Sequence, residues 1–305
     1  MTAVLLVEQA LNGLQFGLML FLLAAGLTLV FGIMDMINLA HGSLYMLGAF
    51  IAAALVQATG SFWAGVLLAI PATAIAGMLL EVLLLRKLYG RDHLSQVLAT
   101  FALILILNEL VRIAWGPDAP LAMPASLSGP VELFPGLSYP AYRLVIIAVG
   151  LAVAAFLFLL VNKTRIGMLV RAGASDREMA LAMGVNIRAL FTAVFGVGAA
   201  LCALAGGLLA PLLAVQVGMG ENILIVAFVV IVIGGIGSIR GALVGSLLVG
   251  VVDTAGRTLL PLALGAFLPA QVASAAGPAL ASVAIYLLMA LVLYFRPQGL
   301  FPAHG

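Results

Sequence analysis

KTRIGMLVRAGASDREMALAMGVNIR, residues 163–188, is the longest polar interruption in an otherwise lipid-soluble chain, and it holds five of the thirteen basic residues. Ser175-Asp176-Arg177-Glu178 has the spacing of a capping box: the Ser175 hydroxyl accepts from the Glu178 N–H and the Glu178 carboxylate reaches back. Asp176 and Glu178 also suit the positive end of the helix they begin. Gly184 can close it in the left-handed conformation. The spacing therefore predicts a short helix over about 176–183, with Met179, Ala180 and Met183 on one face. A capped, Met-bearing helix between apolar runs reads either as a solvated loop or as a knob that docks a soluble partner.

Outward from this stretch the sequence is membrane-like. Of its 305 residues 65% are hydrophobic and only 8% charged, with mean hydropathy +1.29. Soluble domains run near about a quarter charged, so this chain cannot solvate a globular surface. Apolar runs of roughly 20 residues select an all-α bundle of transmembrane helices over a barrel. One cysteine, Cys202, excludes an internal disulfide and reads as a small packing residue. No basic region precedes the first apolar run, so that run reads as a span and not as a cleaved signal.

Spans are expected at about 8–33, 42–57, 62–85, 94–114, 142–162, 189–213, 222–233, 242–260 and 279–295, which makes about nine. Eight results if 222–260 is one bent span plus a re-entrant piece, or if 34–60 does not fully cross. The whole chain reads as a single transmembrane domain. Its segment 115–141, with Pro117, Pro120, Pro124, Pro130, Pro135 and Pro140, is an extracytoplasmic loop. Placing 86–91 and 163–188 in the cytoplasm puts ten of the thirteen Lys and Arg inside, leaving Arg112, Arg143 and Arg257 outside. The N-terminus is then out and the C-terminus in.

No Gly-Lys pair occurs, so the glycine-rich 234–241 is not a phosphate cradle. His41, His93 and His304 lack metal spacing. No nucleophile–base set stands out, and the chain reads as a non-enzyme; if ATP drives transport, another chain hydrolyses it. Two polar breaks in apolar surroundings remain. Asp35, Asn38, His41 and Ser43 form one, and Gly234, Gly235, Gly237 and Ser238 the other. Broken helices often line a solute route, though tight interfacial turns give the same pattern. Asn108, Glu109 and Asp253 are polar groups in or near apolar runs, candidates for the route or for helix packing.

Glu178-Met-Ala-Leu-Ala-Met-Gly184 resembles the E-A-A-x-x-x-G loop of ABC importer permeases, with Met179 in place of the first Ala. Gly26-Leu-Thr-Leu-Val-Phe-Gly32, Ile37-Asn-Leu-Ala-His-Gly42, Met46-Leu-Gly-Ala49 and Gly234-Gly-Ile-Gly-Ser-Ile-Arg-Gly-Ala242 are similar, in order, to segments of branched-chain amino-acid ABC permeases of the LivH type. The resemblance implies a permease of the type II importer kind in a bacterial inner membrane. It implies a heterodimer with a LivM-like second permease, two ATP-binding subunits that carry ATP and Mg, and a periplasmic binding protein. No cofactor, metal or nucleic acid is implied for this chain; its other neighbour is membrane lipid. The coupling contact falls on Ser175, Asp176, Arg177, Glu178, Met179, Ala180, Met183 and Gly184. Relatives that carry urea, short amides or aromatic acids leave the solute open. The competing class is a stand-alone channel or ion-driven carrier, which has no use for a docking helix.

Overall fold

The computed structural model describes residues 2–301, with side chains from Val4 onward; His304 lies outside them. Eleven α-helices run in order among these residues. They are α1 (Thr2–Met34), α2 (His41–Thr59), α3 (Phe62–Leu83), α4 (His93–Trp115), α5 (Ala141–Lys163), α6 (Arg165–Ser175), α7 (Arg177–Ala182), α8 (Ile187–Leu209), α9 (Met219–Gly234), α10 (Ile239–Leu264) and α11 (Ala270–Phe295). All but α6, α7 and α9 are long and apolar enough to cross a membrane, eight in total. The ninth expected span is α9. Its 16 residues rise about 24 Å, short of the roughly 30 Å hydrocarbon core.

Polar residues fix where helices start. Asp92 caps α4, its Oδ2 accepting from the Ser95 N–H at 3.1 Å. The Ser95 hydroxyl and amide hold the Asp92 carboxyl below the usual range. Thr164, Asn186 and Ser238 likewise cap α6, α8 and α10 through their side-chain oxygens.

The segment 115–141 is ordered by strands. β1 (Asp118–Ala119) pairs antiparallel with β4 (Val215–Gln216), and β2 (Pro130–Phe134) with β3 (Leu137–Pro140). Pro135-Gly136 turns the second pair, with Gly136 at φ +88°, the conformation such a turn reserves for glycine.

The helices gather into two compact units. One comprises the residues up to Phe21, Pro124–Ala152 and those from Phe228 on. In it Leu18, Tyr139 and Ile147 form a buried centre, and Tyr139 donates to Asn12 Oδ1 at 3.0 Å. Gly13 and Gly17, the pair spaced for close approach, face the backbones of Val251 and Leu247 on α10. The other unit comprises Leu22–Met123 and Val153–Ala227. Here α2 lies so close to α8 that a Cβ on Gly48 would stand 2.4 Å from Ala203 Cα.

Candidate functional site

The 163–188 stretch folds as two helices, not one. α6 was not expected; Gly167, Val170 and Gly173 are its buried side, while Ile166, Met168 and Leu169 are exposed. Ser175 is the last residue of α6 and caps nothing. The N-cap of α7 is Asp176, whose Oδ1 accepts from the Met179 N–H at 2.9 Å. The capping box is thus corrected by one position: an Asp in extended conformation accepts the free amide as well as Ser does, and Ser175 is held inside the preceding helix.

The C-terminal end behaves as expected. Gly184 has φ +84°. Its N–H bonds Leu181 O and the Val185 N–H bonds Ala180 O, both at 3.0 Å, which satisfies the last carbonyls. The shared face of Met179, Ala180 and Met183 is also corrected. Ala180 is buried against the body, whereas Met179 is 61% and Met183 79% exposed, with Leu181 beside them. One helical step separates Ala180 from Met179, enough to turn the two to different sides. Arg177 lies over the Phe191 ring, 5.6 Å from its centre. Glu178 is exposed.

At the first break, between α1 and α2, Asn38, His41 and Ser43 are each buried while Asp35 stays exposed with φ +49°. Asn38 Oδ1 accepts from the Ala40 N–H at 3.0 Å, turning the chain into α2. His41 lies between Gly26 of α1 and Gly198 of α8, its Nε2 3.2 Å from Cys202 Sγ. The imidazole therefore fills the space that two missing side chains leave. Cys202 is buried, and its contact with His41 spans 161 residues, which no local pattern announces.

The second break is a close-packed turn. Gly235 and Gly237 have φ +103° and +84°, and Gly234 and Gly241 meet backbone to backbone. The chain after α11 returns to cover it: the N–H groups of Leu300 and Phe301 bond Ile233 O and Gly234 O, each at 2.9 Å. Ser238 is occupied as the cap of α10.

The remaining candidates scatter. Asn108 donates to Glu221 at 2.6 Å. Glu109 is exposed, 3.9 Å from Arg112. Asp253 pairs with Arg257 one turn on, at 2.8 Å, and Arg257 also reaches the Ser282 hydroxyl. Sequence reasoning passed over Glu81, a wholly buried carboxylate at the end of α3. Among the described residues no group of three or more His, Cys, Asp or Glu side chains is placed to hold a metal ion.

Residues 9–294 match the family described as the branched-chain amino acid transport system / permease component. The chain is 31% identical to the high-affinity branched-chain amino acid transport system permease protein BraD of Pseudomonas aeruginosa, covering 96% of this chain and 94% of that one. It is 30% identical to the corresponding LivH proteins of Salmonella typhimurium and Escherichia coli K12, covering 83% of this chain and 86% of each relative. With nearly its full length matched and its helices apolar enough to span a bilayer, this chain belongs to the branched-chain amino acid permease family and is a multi-pass membrane protein.

Proposed function

We propose that this chain is one permease of a heterodimeric, ATP-driven importer in the bacterial inner membrane, taking branched-chain amino acids from a periplasmic binding protein. Two separate subunits bind ATP with Mg and hydrolyse it; a LivM-like chain is the second permease. The observation that carries this is α7, a six-residue helix tied at both ends and presenting Met179, Leu181 and Met183 to the outside. Exposed thioethers on a fixed helix suit an apolar cleft in a soluble partner. Asp176 and Gly184 shape that helix, Glu178 puts a negative charge in its first turn, Ala180 seats it, and Arg177 ties it to α8.

Orientation with the N-terminus out and the C-terminus in keeps ten basic residues inside. It requires α9 to cross despite its length. Selectivity then rests mainly with the binding protein. Asn38, His41 and Ser43 brace the first break, and the solute route runs past small residues.

Glu178→Lys reverses an exposed charge in the first turn of α7. It costs about 1 kcal/mol of local and docking energy, about fivefold in affinity for the ATP-binding subunits. Uptake falls while insertion into the membrane is retained. Wild-type uptake and wild-type recovery of the ATP-binding subunits in that variant remove the docking role from α7.

A further inference from the structure

Next to the Phe191 ring that Arg177 covers lies a polar network centred on Glu81. Glu81 is wholly buried, and each of its oxygens accepts two hydrogen bonds. Oε1 takes the Tyr89 hydroxyl at 2.6 Å and Arg86 Nε at 3.2 Å. Oε2 takes the Thr192 hydroxyl at 2.7 Å and Arg86 Nη2 at 3.1 Å. The same Nη2 donates to Thr192 at 2.7 Å. The arginine by itself neutralises the carboxylate. The tyrosine and threonine add something else: they join the end of α3 to α8 and to the turn that follows α3.

The network reaches α7 through one ring. Tyr89 meets Phe191 edge to face, with centres 5.3 Å apart. Arg177 of α7 covers Phe191, and Phe191 is itself only 4% exposed. Tyr89 also touches Met34 Sδ at 3.7 Å, the last residue of α1 before the first break. Burial, and then the bond to Glu81, push the Tyr89 hydroxyl well above its ordinary pKa, so it stays a donor. Arg86 is held charged, chiefly by its hydrogen bonds to Glu81. An unbroken run of contacts thus leads from Arg177 through Phe191 and Tyr89 to Glu81, Thr192 and Met34.

We propose that Glu81, with Tyr89 and Phe191, is the positioning element that passes movement of the docked α7 to α3, α8 and the end of α1. This rests on α7 being the docking helix. A push on Arg177 turns the Phe191 ring. The ring carries Tyr89, and the short Tyr89–Glu81 bond draws α3 with it. Such contiguous contacts can carry coupling between sites, and the physical test is non-additivity between members.

The test uses the full complex in proteoliposomes: both permeases, the ATP-binding subunits and the binding protein, with radiolabelled leucine as the probe. Tyr89→Phe removes the hydroxyl and keeps the ring on Phe191. Phe191→Leu removes the ring and keeps the Glu81 network. Each variant should assemble and hydrolyse ATP as the unsubstituted complex does, with leucine moved per ATP falling about fivefold, at the low end of usual coupling energies. The double variant should fall no further, and Thr192→Ser, which keeps its hydroxyl, should match the unsubstituted complex. An unchanged ratio, a parallel loss of assembly and hydrolysis, or multiplied losses in the double variant overturn the proposal. Failure of the unsubstituted complex to recover ATP-binding subunits or to accumulate leucine overturns the docking reading instead, and this proposal with it.

Discussion

Replacing Met179 and Met183 together by Asp leaves the permease folded in the membrane but without its ATP-binding subunits, and ATP-driven uptake falls at least about a hundredfold. The two side chains are four residues apart, one on α7 and one at its C-cap, and both are largely exposed. Their loss therefore costs the isolated chain little. At an interface, each buried apolar anchor is worth about 2 kcal/mol, and a carboxylate in its place must also be desolvated. Together these exceed a hundredfold in affinity, by about 1.4 kcal/mol per tenfold. Pull-down of the ATP-binding subunits with the tagged permease checks the result. Undiminished recovery means the partner sits elsewhere.

The second large effect is on the fold. Gly48→Leu should yield no folded protein. A Cβ at this position would lie 2.4 Å from Ala203 Cα and 2.8 Å from Ala203 Cβ, so α2 and α8 must separate. Overpacking of this kind costs about 3 kcal/mol or more when the obstacle is backbone. Gly48→Ala should be milder, and Ala203→Gly should restore part of the loss, because the two residues share one contact. Thermal stability of the detergent-solubilised chain reads both. A Gly48→Leu chain as stable as the parent would mean that the helices do not approach there.

How much of this was legible depended on whether the signal was local. Composition gave the helical membrane class, and the apolar runs gave seven of the eight spanning helices to within about six residues; α11 instead begins at Ala270, nine residues before the expected 279, with Pro278 inside it. Gly13 and Gly17 have the four-residue spacing of a close crossing, and α1 meets α10 there. Gly184 marked the end of α7 because its left-handed conformation is a property of one residue. The start of α7 was misplaced by one position because Ser175 and Asp176 are both good caps, and only the extent of α6 decides between them. α6 itself was hidden by Gly167 and Gly173, poor helix formers that here let α6 pack closely.

Distant partners were not legible at all. Glu81 meets Thr192 across 111 residues and His41 meets Cys202 across 161. In a membrane chain every helix face is apolar, so periodicity does not single out the inward side. The contact of Gly234 and Gly235 with Gly299 and Phe301 joins the end of α9 to residues beyond α11, and no pattern in either stretch specifies it. The breaks were visible as breaks; that they are packed turns followed only from their neighbours.

The central claim, that α7 is where this permease receives the work of ATP hydrolysis, is tested most directly by cross-linking. Met183→Cys in a Cys202→Ala background places a single thiol on α7, and Leu98→Cys, exposed on α4, serves as control. With a short bifunctional reagent on the assembled complex, position 183 should join to an ATP-binding subunit, with a yield that changes when nucleotide is trapped, and position 98 should not. A complex that retains its ATP-binding subunits yet gives no cross-link from 183 would contradict the account.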